Sequence, residues 1–560
     1  MAGAFAKLVG NPKSRPRVEG YTEKVSRSSW LVAREGDGRG SSPDRRPRTV
    51  TATGVAPGSV HEGDPLPPSN RRWRSLVVAI VVLAAIWPIA GSARLFPNLT
   101  RNADEVVWLS QMDVLESGAL TTAAPARNPA SYTPWFAQMR NGRYVYRYPP
   151  LFPALLAASD IVTGTPRVGL GLASAWAILA VYLLVAELAR RRGVALLAAV
   201  LVGACPLYFL TAAMFLGYVF FIALFCTAAW LLARGARTGR YVDLALAGFT
   251  FGLAVFDRPY DTVLLGLPWL VWFVWRCRRR APPGLALVAL GALLPIGAML
   301  VYNWHLTGDA LKPPFLLWDS LDTVGFGNRY PPAVDFTPIL GAIGVGRMWR
   351  DLLFWSVPGL GLTAVATLLS VRPARTQLAP LIGMLLTLPI GWIGFWASYF
   401  APLRYQLGPV YVLPLLVPLA ALTAVGVEAA WAGSGRRAHT RGMVATVAGC
   451  AVILGLFEGA THVSRWQLDA GGRKSIPPTP TALAQASDAI GRSPALVFLP
   501  EPSIGFLPPL HNSPALDGPR LYVAELPGQD PFVIAAEHPD RRAYRLVGRP
   551  DGSVQVQPLQ

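Results

Sequence analysis

Four groups of charged and hydrogen-bonding residues stand at the ends of long apolar runs. Each could do chemistry at a membrane surface. The first is Asp104 and Glu105, just beyond the apolar run 75–93. A carboxylate held above a bilayer can serve as general base on an acceptor hydroxyl, given reach and a suitable pKa. The plainer reading is solvated charge at a helix start, which the helix dipole favours. The second group is Asp257, Arg258 and Asp261 in FGLAVFDRPYDTVLLGLPW, a very short turn between apolar runs. Ionisable groups there are expensive and functional by default. Arg258 can bind a lipid phosphate through forked, charge-assisted hydrogen bonds; otherwise it snorkels to headgroups or pairs with Asp257. The third is VYNWHLTGDALKPPF, 301–315, with Tyr302, Asn303, His305, Asp309 and Lys312, continued by Asp319, Asp322 and Arg329. The WDSLD spacing is no metal signature, and a lone histidine is more often a structural hydrogen-bonder than a base. The fourth is Arg404 and Tyr405 in SYFAPLRYQLGPVYVLP, directly before another apolar run.

The elements that must position these groups follow from composition. The chain has 560 residues, 52% hydrophobic and only 15% charged, whereas a soluble protein carries about a quarter charged residues. Several apolar runs approach the roughly 20 residues that a spanning helix needs. The net charge of +19 could suggest nucleic acid, but the basic residues cluster between apolar runs, as the positive-inside rule requires of a polytopic membrane protein. No nucleic-acid partner is expected; the bilayer is one. The four cysteines lie in or beside the apolar runs, so no disulfide is expected and cysteine usage does not report a redox compartment.

Eleven spans are expected: 75–95, 166–189, 193–212, 214–233, 241–257, 260–275, 284–303, 351–371, 377–399, 407–431 and 442–461. Arg71, Arg72 and Arg74 hold the first end inside, and every predicted inner loop is basic. This register puts the loops 96–148 and 304–350 outside, together with 463–560. The apolar, proline-broken stretch 149–163 reads as interfacial or re-entrant. Arg258 and Arg404 fall on the outer side, against the charge rule, which makes them candidate anion ligands. The first loop is long where a minimal turn would do, and long structured loops are usually functional.

Residues 1–70, rich in Arg, Ser, Gly and Pro without apolar periodicity, read as a disordered cytoplasmic tail. They are too long and polar for the n-region of a signal peptide. After the last span, 481–490 reads as a short helix, and 494–500, 520–526, 543–548 and 553–558 as strands. The expected architecture is therefore an all-α polytopic membrane domain, 71–462, followed by a small extracytoplasmic α/β domain, 463–560. That domain is small enough to need packing against the outer loops.

Taken together, the motifs NADEVVWL, YRYPPLFPALLA, LAGFTFGLAVFDRP, YNWHLTGDALKPPF and LRYQLGPVYVLP, in that order over roughly residues 75–430, resemble the GT-C glycosyltransferases. Within that class they look like the branch of protein O-mannosyltransferases and bacterial aminoarabinose transferases. HNSPALDGPRLYVAEL and HPDRRAYRL are similar to the outer domain of some bacterial members. The resemblance implies a hexosyl- or pentosyltransferase that takes a sugar from a polyprenyl-phosphate donor to an extracytoplasmic glycan, lipid or protein. It implies Asp104, with Glu105 beside it, as the catalytic carboxylate, and the first loop as the acceptor's seat. Arg258, Arg404 and Lys312 would hold the donor phosphate, and Tyr148, Asn303, His305 and Tyr405 would bind substrate. Many relatives carry an acidic residue between spans three and four; LYFLTAAMFLGYVFF has none. No cofactor is expected, no metal ligand is assigned, and a divalent ion stays open.

Two other readings compete. A transporter or flippase predicts internal repeats and ionisable residues near the bilayer midplane, whereas no repeat is seen and the charges lie at span ends. A non-catalytic polyprenyl-lipid-binding protein fits the missing acidic residue. The Ala-, Arg- and Pro-rich usage points to a high-GC bacterium and its inner membrane, with the site on the extracytoplasmic side.

Overall fold

The computed structural model describes residues 71–96, 103–134, 136–329, 335–371, 376, 378–400, 408–434, 438–468, 480–500, 512–549 and 553–559. The expected tail, 1–70, lies outside the described residues, as do Arg404 and Tyr405.

Most of the chain is helical. α1 (Arg71–Leu95) is followed by the shorter α2 (Ala103–Glu116) and by a three-stranded antiparallel sheet, β1 (Thr122–Ala123), β2 (Ala137–Arg140) and β3 (Arg143–Tyr146), in the order β1-β3-β2. Then come α3 (Leu151–Thr163), α4 (Arg167–Ala189), α5 (Arg192–Ala204), α6 (Pro206–Thr211), α7 (Tyr218–Thr238), α8 (Tyr241–Asp257), α9 (Pro259–Cys277) and α10 (Ala281–Thr307). The second long loop contains α11 (Pro338–Phe354); after it lie α12 (Leu360–Ser370), α13 (Ala379–Ile393), α14 (Leu416–Gly433) and α15 (Ala438–Leu468).

Six helical stretches among the described residues are long and apolar enough to cross a membrane, and one of them, Pro259–Thr307, contains both α9 and α10. Several expected spans are shorter or broken. The stretch 149–163, expected to be interfacial or re-entrant and not a span, forms the 13-residue α3, well short of a crossing. The span expected at 193–212 ends at Ala204, because Cys205 is extended ahead of Pro206, as the residue before a proline prefers. The span expected at 351–371 is corrected: α11 ends at Phe354 and α12 starts only at Leu360. Pro358 lacks an N–H, and Gly359 takes a left-handed φ of 79°, so a continuous helix is interrupted there. The carbonyl of Trp355 is taken instead by the backbone N–H of Leu207, at 3.1 Å.

Close helix approach sets the bundle. α8 and α10 cross where Gly248 faces Val288 and Gly291 faces Ala245; a Cβ at either glycine would overlap the opposite carbonyl. Small residues let apolar helices pack this tightly without a solvent-driven force. Most of α7 is buried among its neighbours, whereas α1 and α15 leave most of their apolar surface uncovered, as helices facing lipid do.

At the C-terminal end, α16 (Pro480–Ile490) leads to β4 (Ala495–Pro500), β5 (Arg520–Glu525), α17 (Pro531–Ala536), β6 (Arg542–Gly548) and β7 (Val554–Pro558). The sheet order is β5-β4-β6-β7, parallel except for the last pair. Side chains alternate along a strand. Ala495, Val497 and Leu499 meet Ala486 and Ile490 of α16 on one face, while Leu496 and Phe498 pack on the other. Both faces of β4 are covered, which is why ALVFLP reads as a continuous apolar run. Part of the second cover is Tyr132, from the loop after α2.

Candidate active site

The site starts at α2, whose first turn carries Asp104 and Glu105. Consecutive helical residues point about 100° apart, and these two part company. Glu105 is fully buried and accepts the backbone N–H of Phe215 at 2.8 Å. It therefore holds the turn between α6 and α7 and does not line the cleft. Asp104 turns into the cleft, and its Oδ1 accepts the hydroxyl of Tyr148 at 2.9 Å. Burial pushes the Asp104 carboxyl above its ordinary range; Arg147, the Tyr148 hydrogen bond and Arg258 pull it back in part.

Tyr148 is fixed on three sides. Its ring stacks on Trp108, centroids 4.6 Å apart. Its carbonyl accepts Gln111 Nε2 at 2.9 Å and the Tyr302 hydroxyl at 3.1 Å. Gln111 Nε2 also lies 3.2 Å from that hydroxyl. Burial holds the Tyr148 phenol well above its ordinary pKa, so it stays a neutral donor toward Asp104.

The preceding residue, Arg147, points elsewhere. It forms an ion pair with Asp322, and its guanidinium lies 4.9 Å from the ring centres of both Phe136 and Trp318. The other oxygen of Asp322 accepts Trp396 Nε1 at 2.9 Å. This cluster ties the sheet-bearing loop to the loop after α10.

Another part of the lining comes from the α8–α9 turn. Arg258 leaves the helical region, with φ −145° and ψ 80°, and Pro259 restarts the chain as the first residue of α9, where a missing N–H costs nothing. Arg258 Nε donates to Asp261 Oδ2 at 2.7 Å, and the guanidinium lies 4.3 Å over the Tyr218 ring. The pairing with Asp257 weighed from sequence is replaced by one with Asp261, one helical turn on. Asp261 Oδ1 accepts Trp392 Nε1 at 3.2 Å.

Asp104, Trp108, Tyr148, Tyr218, Asp257 and Arg258 thus share one cleft, about 370 Å³ including its open mouth. A carboxylate with a phenol donor and a guanidinium line it together. The sequence missed Trp108, Gln111, Tyr218 and Arg147. The last is visible only as the arginine of YVYRYPP, and Tyr218 lies in the turn noted for its lack of acid. Three other expected residues do not line the cleft. Asn303 is buried and donates to the carbonyl of Ala310 at 3.1 Å, bracing the turn after α10. His305 is exposed, and Lys312 lies on the loop beyond it.

A divalent ion would find two carboxylates on the cleft, Asp104 and Asp257. Among the described residues no three His, Cys, Asp or Glu side chains converge as a ligand group. These two residues alone do not form a ligand set for such an ion.

A family model described as dolichyl-phosphate-mannose-protein mannosyltransferase matches residues 147–302, which takes in Tyr148, Asp257 and Arg258. A second, a domain of unknown function (DUF7846), matches residues 495–558. No curated protein matches the chain. Among solved structures, ArnT from Cupriavidus metallidurans bound to undecaprenyl phosphate is similar with a TM-score of 0.52 and 12% identity, over 88% of this chain and 98% of that one. The oligosaccharyltransferase AglB from Archaeoglobus fulgidus, in complex with an inhibitory peptide and a dolichol-phosphate, has a TM-score of 0.45 and 12% identity, over 88% of this chain and 75% of its own. The chain has the ArnT fold, that of the GT-C class its motifs resemble.

Proposed function

We propose that this protein is a membrane glycosyltransferase that moves a sugar from a polyprenyl-phosphate donor to a glycan, lipid or protein acceptor outside the cytoplasm. The observation that carries this reading is the cleft that sets Asp104 against Arg258, in a fold shared with a structure that holds undecaprenyl phosphate.

In this mechanism the acceptor hydroxyl attacks the anomeric carbon of the donor. The bond from that carbon to the phosphate oxygen breaks, and the electron pair leaves with the lipid phosphate. Asp104 takes the acceptor's proton, and one displacement inverts the anomeric centre. Tyr148 and Trp108 fix the carboxylate's height and direction. Arg258, held by Asp261, meets the charge that grows on the leaving phosphate. A monophosphate needs less help to leave than a diphosphate, so cationic side chains suffice. Arg404 is a second candidate for the phosphate, and Tyr405 for substrate contacts.

The site lies on the extracytoplasmic side of a bacterial inner membrane, with 1–70 in the cytoplasm and 463–560 outside. The test is transfer of radiolabelled sugar from purified polyprenyl-phosphate donors to membrane extract by the purified full-length protein. Label moving from at least one hexose or pentose donor is expected. No transfer from any of them, with lipid binding intact, would leave a lipid-binding protein in place of an enzyme.

A further inference from the structure

One carboxylate in the cleft has no role in the reaction as derived. Asp257 is 5% exposed, lines the cleft beside Arg258, and among the described residues has no hydrogen-bond partner on either side-chain oxygen. Buried polar groups are nearly always hydrogen-bonded, and an exception calls for an explanation. The fold supplies none. Asp257 is the last residue of α8, where the carbonyl end of the helix dipole disfavours negative charge. The adjacent cation donates its Nε to Asp261 rather than to Asp257. Asp261 is satisfied on both oxygens, by Arg258 and by Trp392. A carboxylate kept buried, unpaired and at the wrong end of a helix is suited to a ligand that brings its own donors.

Resting on the donor reading above, we infer that Asp257 is a sugar-binding residue, its carboxylate accepting hydrogen bonds from hydroxyls of the transferred glycosyl group while Arg258 holds the phosphate. The placement follows from the chemistry of the donor. The sugar ring is joined directly to the phosphate, so a group next to the phosphate ligand in the cleft wall faces the ring. Two carboxylate oxygens match a pair of neighbouring hydroxyls. A site built to hydrogen-bond hydroxyls discriminates strongly against analogues that lack or misplace them, because its own buried groups are then left unpaired. Asp257 would thereby set which sugar is accepted.

The experiment compares undecaprenyl phosphate with a panel of undecaprenyl-phosphate-linked hexoses and pentoses, bound to the full-length protein in nanodiscs. The wild type is expected to bind at least one glycosylated lipid more tightly than the bare lipid phosphate. That lipid then serves as the probe. Asp257→Asn keeps the shape and removes one acceptor. It should weaken probe binding about 10–100-fold, the range for hydrogen bonds to a charged group, and leave bare undecaprenyl phosphate within about threefold. Its ligand-free melting temperature should hold or rise, since no native hydrogen bond is lost.

Three outcomes would overturn the inference: equal losses for both lipids, which would make Asp257 part of the phosphate site; unchanged probe binding, or a lower melting temperature, which would make it structural; and wild-type probe binding abolished by EDTA, which would make it a metal ligand. A wild type that binds glycosylated and bare lipid alike would also overturn it, while leaving the lipid reading standing. A wild type that binds neither lipid would remove the donor reading and this inference with it.

Discussion

The start of α2 and the α8–α9 turn each present a pair of carboxylates and divide it in the same way. In each pair one member is anchored in the protein: Glu105 by the Phe215 N–H, Asp261 by Arg258 and Trp392. The other, Asp104 or Asp257, lines the cleft. The cleft members then differ. Asp104 has a phenol donor at 2.9 Å, while Asp257 has no hydrogen-bond partner among the described residues. A cleft carboxylate held in place by a neutral phenol donor suits a base; one to which the described residues bring no donor suits a ligand's hydroxyls. The anchored members supply the rigidity that both tasks need.

The largest effect expected from this comparison is at Asp104. Asp104→Asn removes the proton acceptor at constant size, and single-turnover sugar transfer should fall about 10²–10⁴-fold with donor affinity little changed. The matched control is Glu105→Gln, whose amide oxygen can still accept the Phe215 N–H; transfer should stay within a few-fold of wild type. Equal losses in the two variants would dissolve the division of the first pair.

Next comes Arg258. Arg258→Ala should raise the donor KM about 10–100-fold, and Arg258→Lys should restore only part of it, because Lys lacks the planar fork that can serve Asp261 and a phosphate together. An unchanged donor KM in the Ala variant would reduce Arg258 to a partner of Asp261 and Tyr218.

A pH profile of kcat/KM sharpens the difference between the cleft members. Asp104 must be deprotonated to act, and burial raises its pKa. The acid limb should therefore lie above the ordinary aspartate value of about 3.9, with activity lost as pH falls through it. The Tyr148 hydrogen bond and Arg147 both favour the charged form. Tyr148→Phe should thus move the limb to still higher pH. A limb that stays put, or moves down, would separate Tyr148 from the base.

The smallest effect is structural. Glu105→Ala leaves the buried Phe215 N–H without its acceptor and should cost about 1–3 kcal/mol, read as earlier thermal unfolding at constant donor affinity. The proposed reaction also requires both pairs to face outward, so reporter fusions at Ala130 and at Gln560 should both report an external location.

Much of the fold was legible because its causes are local. Apolar runs of near-spanning length, the basic loops between them and the strand pattern of 495–558 needed no partner to be read. The break at Pro358–Gly359 had a local signal too, outweighed by the apolar run on either side of it. Asp104 and Arg258 stood out because charge is costly where they sit. What the tertiary structure alone decided is which carboxylate of each pair faces the cleft. The donor to Asp104 is 44 residues away in sequence, the N–H that claims Glu105 is 110 away, and the indole that claims Asp261 is 131 away. A hydrogen bond acts only within about 3 Å, and no periodicity or propensity in the chain encodes which remote residue will arrive at that distance.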